Sequence, residues 1–246
     1  MNPAEDLVFG RKPVLELLTA GGARSVVKLW LLRGLAGPPV DELVQRAKEK
    51  NIVFQWVDRQ RLNQLTSGKN HQGVVARVSP FQYADLSDFL GASGAPSGLL
   101  LLDGIEDPHN LGAILRSAAF FGAPAVIVPR WRSAGLSGTV AKTAAGALEK
   151  VPLIQVSNIA QTIADLKKRN YWVYGADMKG DPCDRTTLNE PYALVIGAEG
   201  AGLHRLVRER CDALVSIPGG GGMESLNASC AAGVFLYELF RRRRSA

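Results

Sequence analysis

Three stretches of this 246-residue chain carry polar groups and glycines where a plain connection needs neither. They read "DGIEDPHNLGAILRSAAFFGA" from Asp103, "ALVIGAEGAGL" from Ala193 and "IPGGGGMESLNASCAAGVFLYE" from Ile217. Their polar members are the amide of Asn110, the guanidinium of Arg116, the carboxylate of Glu199, and the Ser225 and Asn227 pair behind four consecutive glycines, Gly219 to Gly222. Each ordered glycine costs roughly 0.5–1 kcal/mol of backbone entropy, so four in a row are a poor way merely to turn a corner. An arginine guanidinium stays protonated in proteins, so Arg116 offers fixed positive charge rather than a base. Plainer readings stand beside these: Asn110, Ser225 and Asn227 as helix caps, Glu199 as a turn residue, and Arg116 as a surface side chain with a buried stem.

All three stretches follow strand-like runs. From residue 98 the runs "LLLLD", "AVIVP", "YWVYGAD", "YALVIG" and "ALVSIP" alternate with helical patterns. Short, continuous apolar strands of this kind indicate a parallel sheet covered on both faces. Ligands of such sheets sit beyond the carboxyl ends of the strands, where the three stretches begin, so they are expected to converge on one pocket. Neither a GxGxxG fingerprint nor a P-loop is present. Residues 1–80 form a second alternation, a small α/β domain with "LVFG", "SVVKLWLLR", "NIVFQWV" and "GVVARVS" as strands. Between them, 81–97 collects glycines, serines and Pro96 and reads as a linker. Periodicity alone suggests an unknotted, doubly wound sheet for residues 98–246.

Composition narrows the class. With 46% apolar and 21% charged residues and no apolar run of about eighteen, the chain reads as a soluble cytoplasmic protein. Cys183, Cys211 and Cys230 match no metal or redox spacing, and no disulfide is expected. The net charge is +6, and residues 1–80 hold twelve Lys/Arg against seven Asp/Glu, so the first domain is the more basic. That bias suits a phosphate-rich partner. No His, Cys and Asp set has metal-ligand spacing, and His71, His109 and His204 are explained by loop and helix-start positions, although His71 could also touch RNA. Arg130, Arg132 and Lys142, near the end of the second strand, could meet phosphate.

Taken together, the three stretches resemble the ordered motifs of the SpoU branch of the SPOUT RNA methyltransferases. "FGRKPVLELL" and "HQGVVARVSP" are similar to the N-terminal RNA-binding domain of that branch's large-subunit rRNA guanosine 2′-O-methyltransferases, so the likeness covers nearly the whole chain. The resemblance implies an α/β fold in which a knotted (trefoil) SPOUT methyltransferase domain with a parallel sheet follows a small α/β RNA-binding domain. It implies S-adenosylmethionine as methyl donor, no metal, a guanosine of 23S rRNA as substrate, and a homodimer formed through residues 98–246. It assigns Asn110, Arg116, Glu199, Ser225 and Asn227 to catalysis and substrate positioning. Gly197, Ile217 and Leu226 are assigned to the cofactor, largely through their backbone. Two positions depart from the family pattern: Gly219 replaces an apolar residue, and Glu224 stands where small residues are common. A looser loop must then be ordered on binding, which subtracts from affinity. The rival readings are the same chemistry on tRNA and a non-catalytic RNA-binding or assembly factor on the same scaffold.

Overall fold

The computed structural model describes residues 7–19, 24–92, 96–222 and 225–245, so what was expected of Glu224 lies outside the described residues. The chain divides into two compact units, Met1–Gln82 and Tyr83–Ala246.

In the first unit, β1 (Leu7–Phe9), α1 (Arg11–Thr19), β2 (Val26–Leu32), α2 (Pro38–Glu49), β3 (Val53–Val57), α3 (Arg59–Thr66) and β4 (Val74–Val78) follow one another. The sheet order is β1-β4-β2-β3, with β4 antiparallel to both neighbours and β2 parallel to β3. Val14, Leu17 and Leu18 recur on one face of α1 and pack with Leu29, Leu31, Val74 and Ala76 of the sheet. The opposite face carries Trp30 and Val75, which Leu62 of α3 covers. Helix α3 has only Leu62 and Leu65 as apolar residues, too few to mark a helix by periodicity. Its start is fixed instead by the Asp58 carboxylate, which accepts the Arg61 N–H at 2.7 Å.

The second unit begins earlier than its composition suggests. Ala84 forms a parallel bridge to Ile154, and residues 86–92 of the expected linker are helix α4 (Leu86–Ala92). Leu86, Phe89 and Leu90, at helical spacing, pack on the core around Ile154 and Ile159; the Gly- and Ser-rich flanks hide that stripe. Then come β5 (Leu99–Asp103), α5 (Pro108–Phe121), β6 (Val126–Pro129), α6 (Gly138–Ala144) and β7 (Leu153–Val156). They are followed by α7 (Ile159–Lys168), β8 (Trp172–Pro182), β9 (Tyr192–Gly197), α8 (Arg205–Arg210), β10 (Ala213–Ser216) and α9 (Ala228–Ser245). The sheet has six strands rather than the five expected, because "LIQV" also pairs, and its order is β10-β8-β9-β5-β6-β7. Every pairing in it is parallel. The central β5 is buried along its whole length.

The terminal arginines are partly structural. Arg241 and Arg242 both bind the Glu238 carboxylate, at 2.8 and 2.7 Å, while Arg242 also donates to the Cys183 and Thr186 carbonyls. Among the described residues no helix is long and apolar enough to cross a membrane.

Candidate active site

Each polar stretch leaves the sheet at the carboxyl end of a strand: β5 at Asp103, β9 at Gly197 and β10 at Ser216. Asp103 and Gly197 are register partners, so the first two loops emerge side by side.

In the first loop Asp107 is the helix cap: its carboxylate accepts the His109 N–H at 2.8 Å, and Pro108 takes the first helical position, where a missing N–H costs nothing. Asn110 is thus released from capping and sits in the first turn of α5. In the second loop Ala198 and Gly202 exchange backbone hydrogen bonds of 3.1 and 2.9 Å, closing a tight turn with Glu199 exposed at its tip. The turn requires a glycine at 197, where a Cβ would lie 2.2 Å from the Gly202 carbonyl carbon. In the third loop Asn227 caps α9, its Oδ1 accepting from the Ser229 N–H at 2.9 Å, the Ser229 hydroxyl at 2.6 Å and the Cys230 N–H at 3.4 Å.

Backbone N–H groups only donate, so Oδ1 is fixed as the acceptor and Nδ2 must donate elsewhere. It does so twice, to Asn110 Oδ1 at 3.1 Å and to Glu199 Oε2 at 2.8 Å. One asparagine thereby joins all three loops. Its capping role and its bridging role are the two halves of one amide. Arg116 and Ser225 are exposed, and neither forms a hydrogen bond or ion pair among the described residues.

The glycine run is open. At each of Gly219 to Gly222 an added Cβ would meet nothing within 4 Å. Ile217 on one side is half-buried, and Leu226 on the other is 49% exposed. The open run, with Ile217 before it and Leu226 after it in the chain, lets a ligand approach the backbone closely. Cys211 and Cys183 fit nucleophilic chemistry poorly: burial pushes the Cys211 thiol up to about 12, with Asp212 adding to the effect, and burial raises Cys183 as well. Among the described residues no three His, Cys, Asp or Glu side chains gather as a metal site.

Sequence reasoning passed over Asp103 and His204. The Asp103 side chain, 5% exposed, accepts the His204 N–H at 2.8 Å and its Nδ1–H at 2.9 Å, leaving Nε2 to accept from Arg132 at 3.4 Å. The pair pins the end of the second loop to the end of β5. The available signal was a carboxylate closing an otherwise all-leucine strand. Beside it Trp131 is 72% exposed, with the Arg130 guanidinium 5.4 Å from its ring centre, and Lys142 is exposed on α6.

Comparison with known proteins matches residues 98–237 to the SpoU rRNA methylase family and residues 7–84 to the RNA 2′-O ribose methyltransferase substrate-binding family. The chain is 41% identical over 247 residues to YacO of Bacillus subtilis, named for the TrmH family of tRNA/rRNA methyltransferases, covering 99% of this chain and 98% of that one. It is similar in structure to the SpoU methyltransferase AviRb of Streptomyces viridochromogenes, solved in complex with the cofactor AdoMet. That match has a TM-score of 0.75 and 28% identity, and covers 98% of this chain and 91% of the other. A structure concerned with 2′-OH methylation of C/U34 on tRNA is 27% identical with a TM-score of 0.54, covering 62% of this chain and 100% of its own.

Proposed function

The chain belongs to the SpoU rRNA methylase family, and from that premise we propose that it methylates the ribose 2′-hydroxyl of a guanosine in 23S rRNA. That it is an RNA methyltransferase using S-adenosylmethionine goes with the family and with the AdoMet-bound neighbour. Two findings support rRNA over tRNA. The matched family is that of rRNA methylases, and the tRNA-directed structure, matched over its full length, leaves more than a third of this chain without a counterpart. The observation that carries the catalytic reading is the Asn227 amide joining Asn110 and Glu199, since a protein that only binds RNA needs no such linkage between loops.

Bound S-adenosylmethionine supplies an electrophilic methyl carbon on a positively charged sulfur. Ile217, Leu226 and the backbone at Gly197 would hold it, beside the open glycine run. Arg116 grips a substrate phosphate and steadies negative charge developing on the ribose oxygen, as preorganised positive groups do, while the hydroxyl proton passes to a phosphate oxygen or water. Ser225 adds a hydroxyl to the same pocket. Asn227 fixes the carboxylate of Glu199 through Oε2, which leaves Oε1 as an acceptor for substrate. Holding the hydroxyl in line with the methyl carbon supplies much of the remaining acceleration.

The same reading carries a trefoil path for the loops and a pairing of two copies through residues 98–246. Phe120, Val234 and Tyr237, exposed by 80%, 40% and 52% on the neighbouring helices α5 and α9, support such a pairing.

Mapping 2′-O-methyl groups in rRNA and tRNA from cells with and without the protein tests the proposal. One 23S guanosine should lose its methyl group. Loss confined to tRNA moves the target, and loss nowhere favours the assembly-factor reading.

A further inference from the structure

The first unit holds a cleft of about 670 Å³, within the range of small-ligand sites. Its lining includes Leu32 at the end of β2, Leu35, residues of α3 and the loop 68–73. The charged groups lining it are Arg11, Arg59 and Lys69, and no acidic side chain joins them.

The orientation of its amides follows from unambiguous donors. Gly73 N–H donates to His71 Nδ1 at 3.0 Å, so Nδ1 carries no proton. The proton of the neutral ring is then on Nε2, which donates to Asn63 Oδ1 at 3.0 Å. Burial of His71 and, to a lesser degree, the Arg59 charge favour that neutral ring. Asn70 Oδ1 accepts the Gln72 N–H at 3.3 Å, and Gln72 Oε1 accepts the Arg11 N–H at 3.2 Å. All three carboxamides thus have their oxygens taken by protein donors. Their NH₂ groups have no partner among the described residues. The polar side chains of the cleft present hydrogen-bond donors and positive charge, flanked by two leucines.

Such a lining selects acceptors. On its major-groove edge guanine offers two, O6 and N7, whereas adenine offers N7 beside the N6 amino donor. Phosphate oxygens are acceptors with charge. We propose that this cleft docks one unpaired guanosine nucleotide of the RNA substrate, distinct from the nucleotide that reacts. Arg59 and Lys69 hold its phosphate, the NH₂ group of Gln72 meets O6 and that of Asn63 meets N7, and the leucines cover the base. The proposal rests on the RNA methyltransferase reading above and adds to it a sequence preference seated in the first unit.

The test is fluorescence anisotropy on the full chain with a labelled nine-residue oligouridylate carrying one central guanosine, adenosine or 7-deazaguanosine. Guanosine should bind about tenfold more tightly than adenosine. Loss of N7 in 7-deazaguanosine should weaken binding several-fold relative to guanosine, by one hydrogen bond, while the O6 acceptor that adenosine lacks is retained. Gln72→Glu keeps the oxygen that Arg11 N–H needs but replaces the donor with an acceptor, and should erase the guanosine-to-adenosine ratio. Arg59→Ala and Lys69→Ala should weaken both oligonucleotides alike, several-fold each, with a shallower salt dependence. Melting temperature and calorimetric binding of S-adenosylmethionine, measured on the same preparations, report folding and the second unit separately. If Gln72→Glu does not fold, the 7-deazaguanosine comparison on the unaltered protein still decides. Equal binding of all three oligonucleotides, with S-adenosylmethionine still bound, overturns the docking cleft and leaves the methyltransferase reading standing. Failure to bind either ligand overturns both. Tighter binding of guanosine 5′-monophosphate than of the oligonucleotide overturns RNA as the source of the nucleotide.

Discussion

In the second unit Asn227 draws together a partner 117 positions away, Asn110, and another 28 away, Glu199; in the first unit His71 takes its partners from Asn63 and Gly73, within eight positions. The first arrangement exists only when the parallel sheet has brought three strand ends into register. The second needs one helix, one loop and the start of a strand. The difference separates what each site depends on. A site made of distant loops depends on links between them and, in the proposed function, on charge aimed at a reacting atom. The cleft of the first unit leans mainly on the segment 59–73 and on the hydrogen-bonding state of one buried ring, with Arg11, Leu32 and Leu35 reaching it from elsewhere in the unit.

The largest expected effect tests the charge in the second unit. Arg116→Ala should lower the single-turnover rate of methyl transfer by about 10²–10³, the scale of losing one electrostatic partner of a transition state. Arg116 is exposed, so the melting temperature and S-adenosylmethionine binding should barely move. Lysine should recover only part of the rate, because an ammonium lacks the planar fork that grips two oxygens. A near wild-type rate in Arg116→Ala would remove the catalytic role.

Next comes the link itself. Asn227→Asp keeps an acceptor for the Ser229 and Cys230 N–H groups but turns the donor facing Glu199 into a second carboxylate oxygen. A hydrogen bond to a charged group contributes about 1.5–3 kcal/mol, so the rate should fall by roughly ten- to hundredfold. Adding Glu199→Gln should restore part of it by returning a donor to the pair. A double variant no better than the single one would show that the loops are joined by something other than this amide.

These two sites were unequally legible in the sequence. Asn110, Glu199 and Asn227 stand in or beside loops that break the expected economy of a strand–helix connection, so their convergence could be expected from the chain alone, and the three side chains do meet. The role proposed for Arg116 rests on the family motif alone, since an arginine in "NLGAILRSAAFF" is equally a surface residue and the side chain is exposed. Asp103 and His204 were harder to read, because a carboxylate closing an all-leucine strand gives no sign of which residue, 101 positions on, it meets. The same holds for α4, whose Leu86, Phe89 and Leu90 stripe lies inside a Gly- and Ser-rich stretch. In the first unit the basic charge was plain, but the orientation of three amides depends on which donor each oxygen meets, a backbone N–H for Asn70 and Gln72 and the His71 ring for Asn63. The order of strands in the six-stranded sheet had no signature in the chain at all.

A smaller effect compares two glycines of the second unit. Gly197→Ala places a Cβ 2.2 Å from the Gly202 carbonyl carbon, where backbone must shift, and should destabilise by about 1–3 kcal/mol. The loss should appear as a lower melting temperature. Gly219→Ala meets nothing within 4 Å and should leave stability within about 0.5 kcal/mol. Calorimetry then reports whether the added methyl group hinders S-adenosylmethionine at Gly219. Equal melting temperatures for the two variants would show that the turn at 197–202 tolerates displacement.

The smallest effect separates the units by pH. Burial, with Arg59 second, holds His71 below its ordinary value of 6.5, whereas in the unfolded chain it titrates near that value. As pH falls below 6.5 the unfolded state takes up a proton that the folded state refuses, so the stability contributed by neutral His71 is present above 6.5 and lost below it. A protonated ring would also turn Nδ1–H against the Gly73 N–H, and the loop should loosen there first. In the second unit the Glu238 carboxyl is held down to about 2, chiefly by its hydrogen bond to Arg241 and also by Arg242, against an ordinary 4.5. Its contribution is complete above 4.5 and is lost only as pH falls from there towards 2. Between pH 7 and 5, therefore, hydrogen-exchange protection should decline around Gly73 and Val74 while α9 stays protected, after correction for the intrinsic exchange rate at each pH. His71→Asn keeps an acceptor for the Gly73 N–H without a titrating ring and should flatten the first decline. If protection at 73–74 still falls with pH in that variant, a group other than His71 controls the loop.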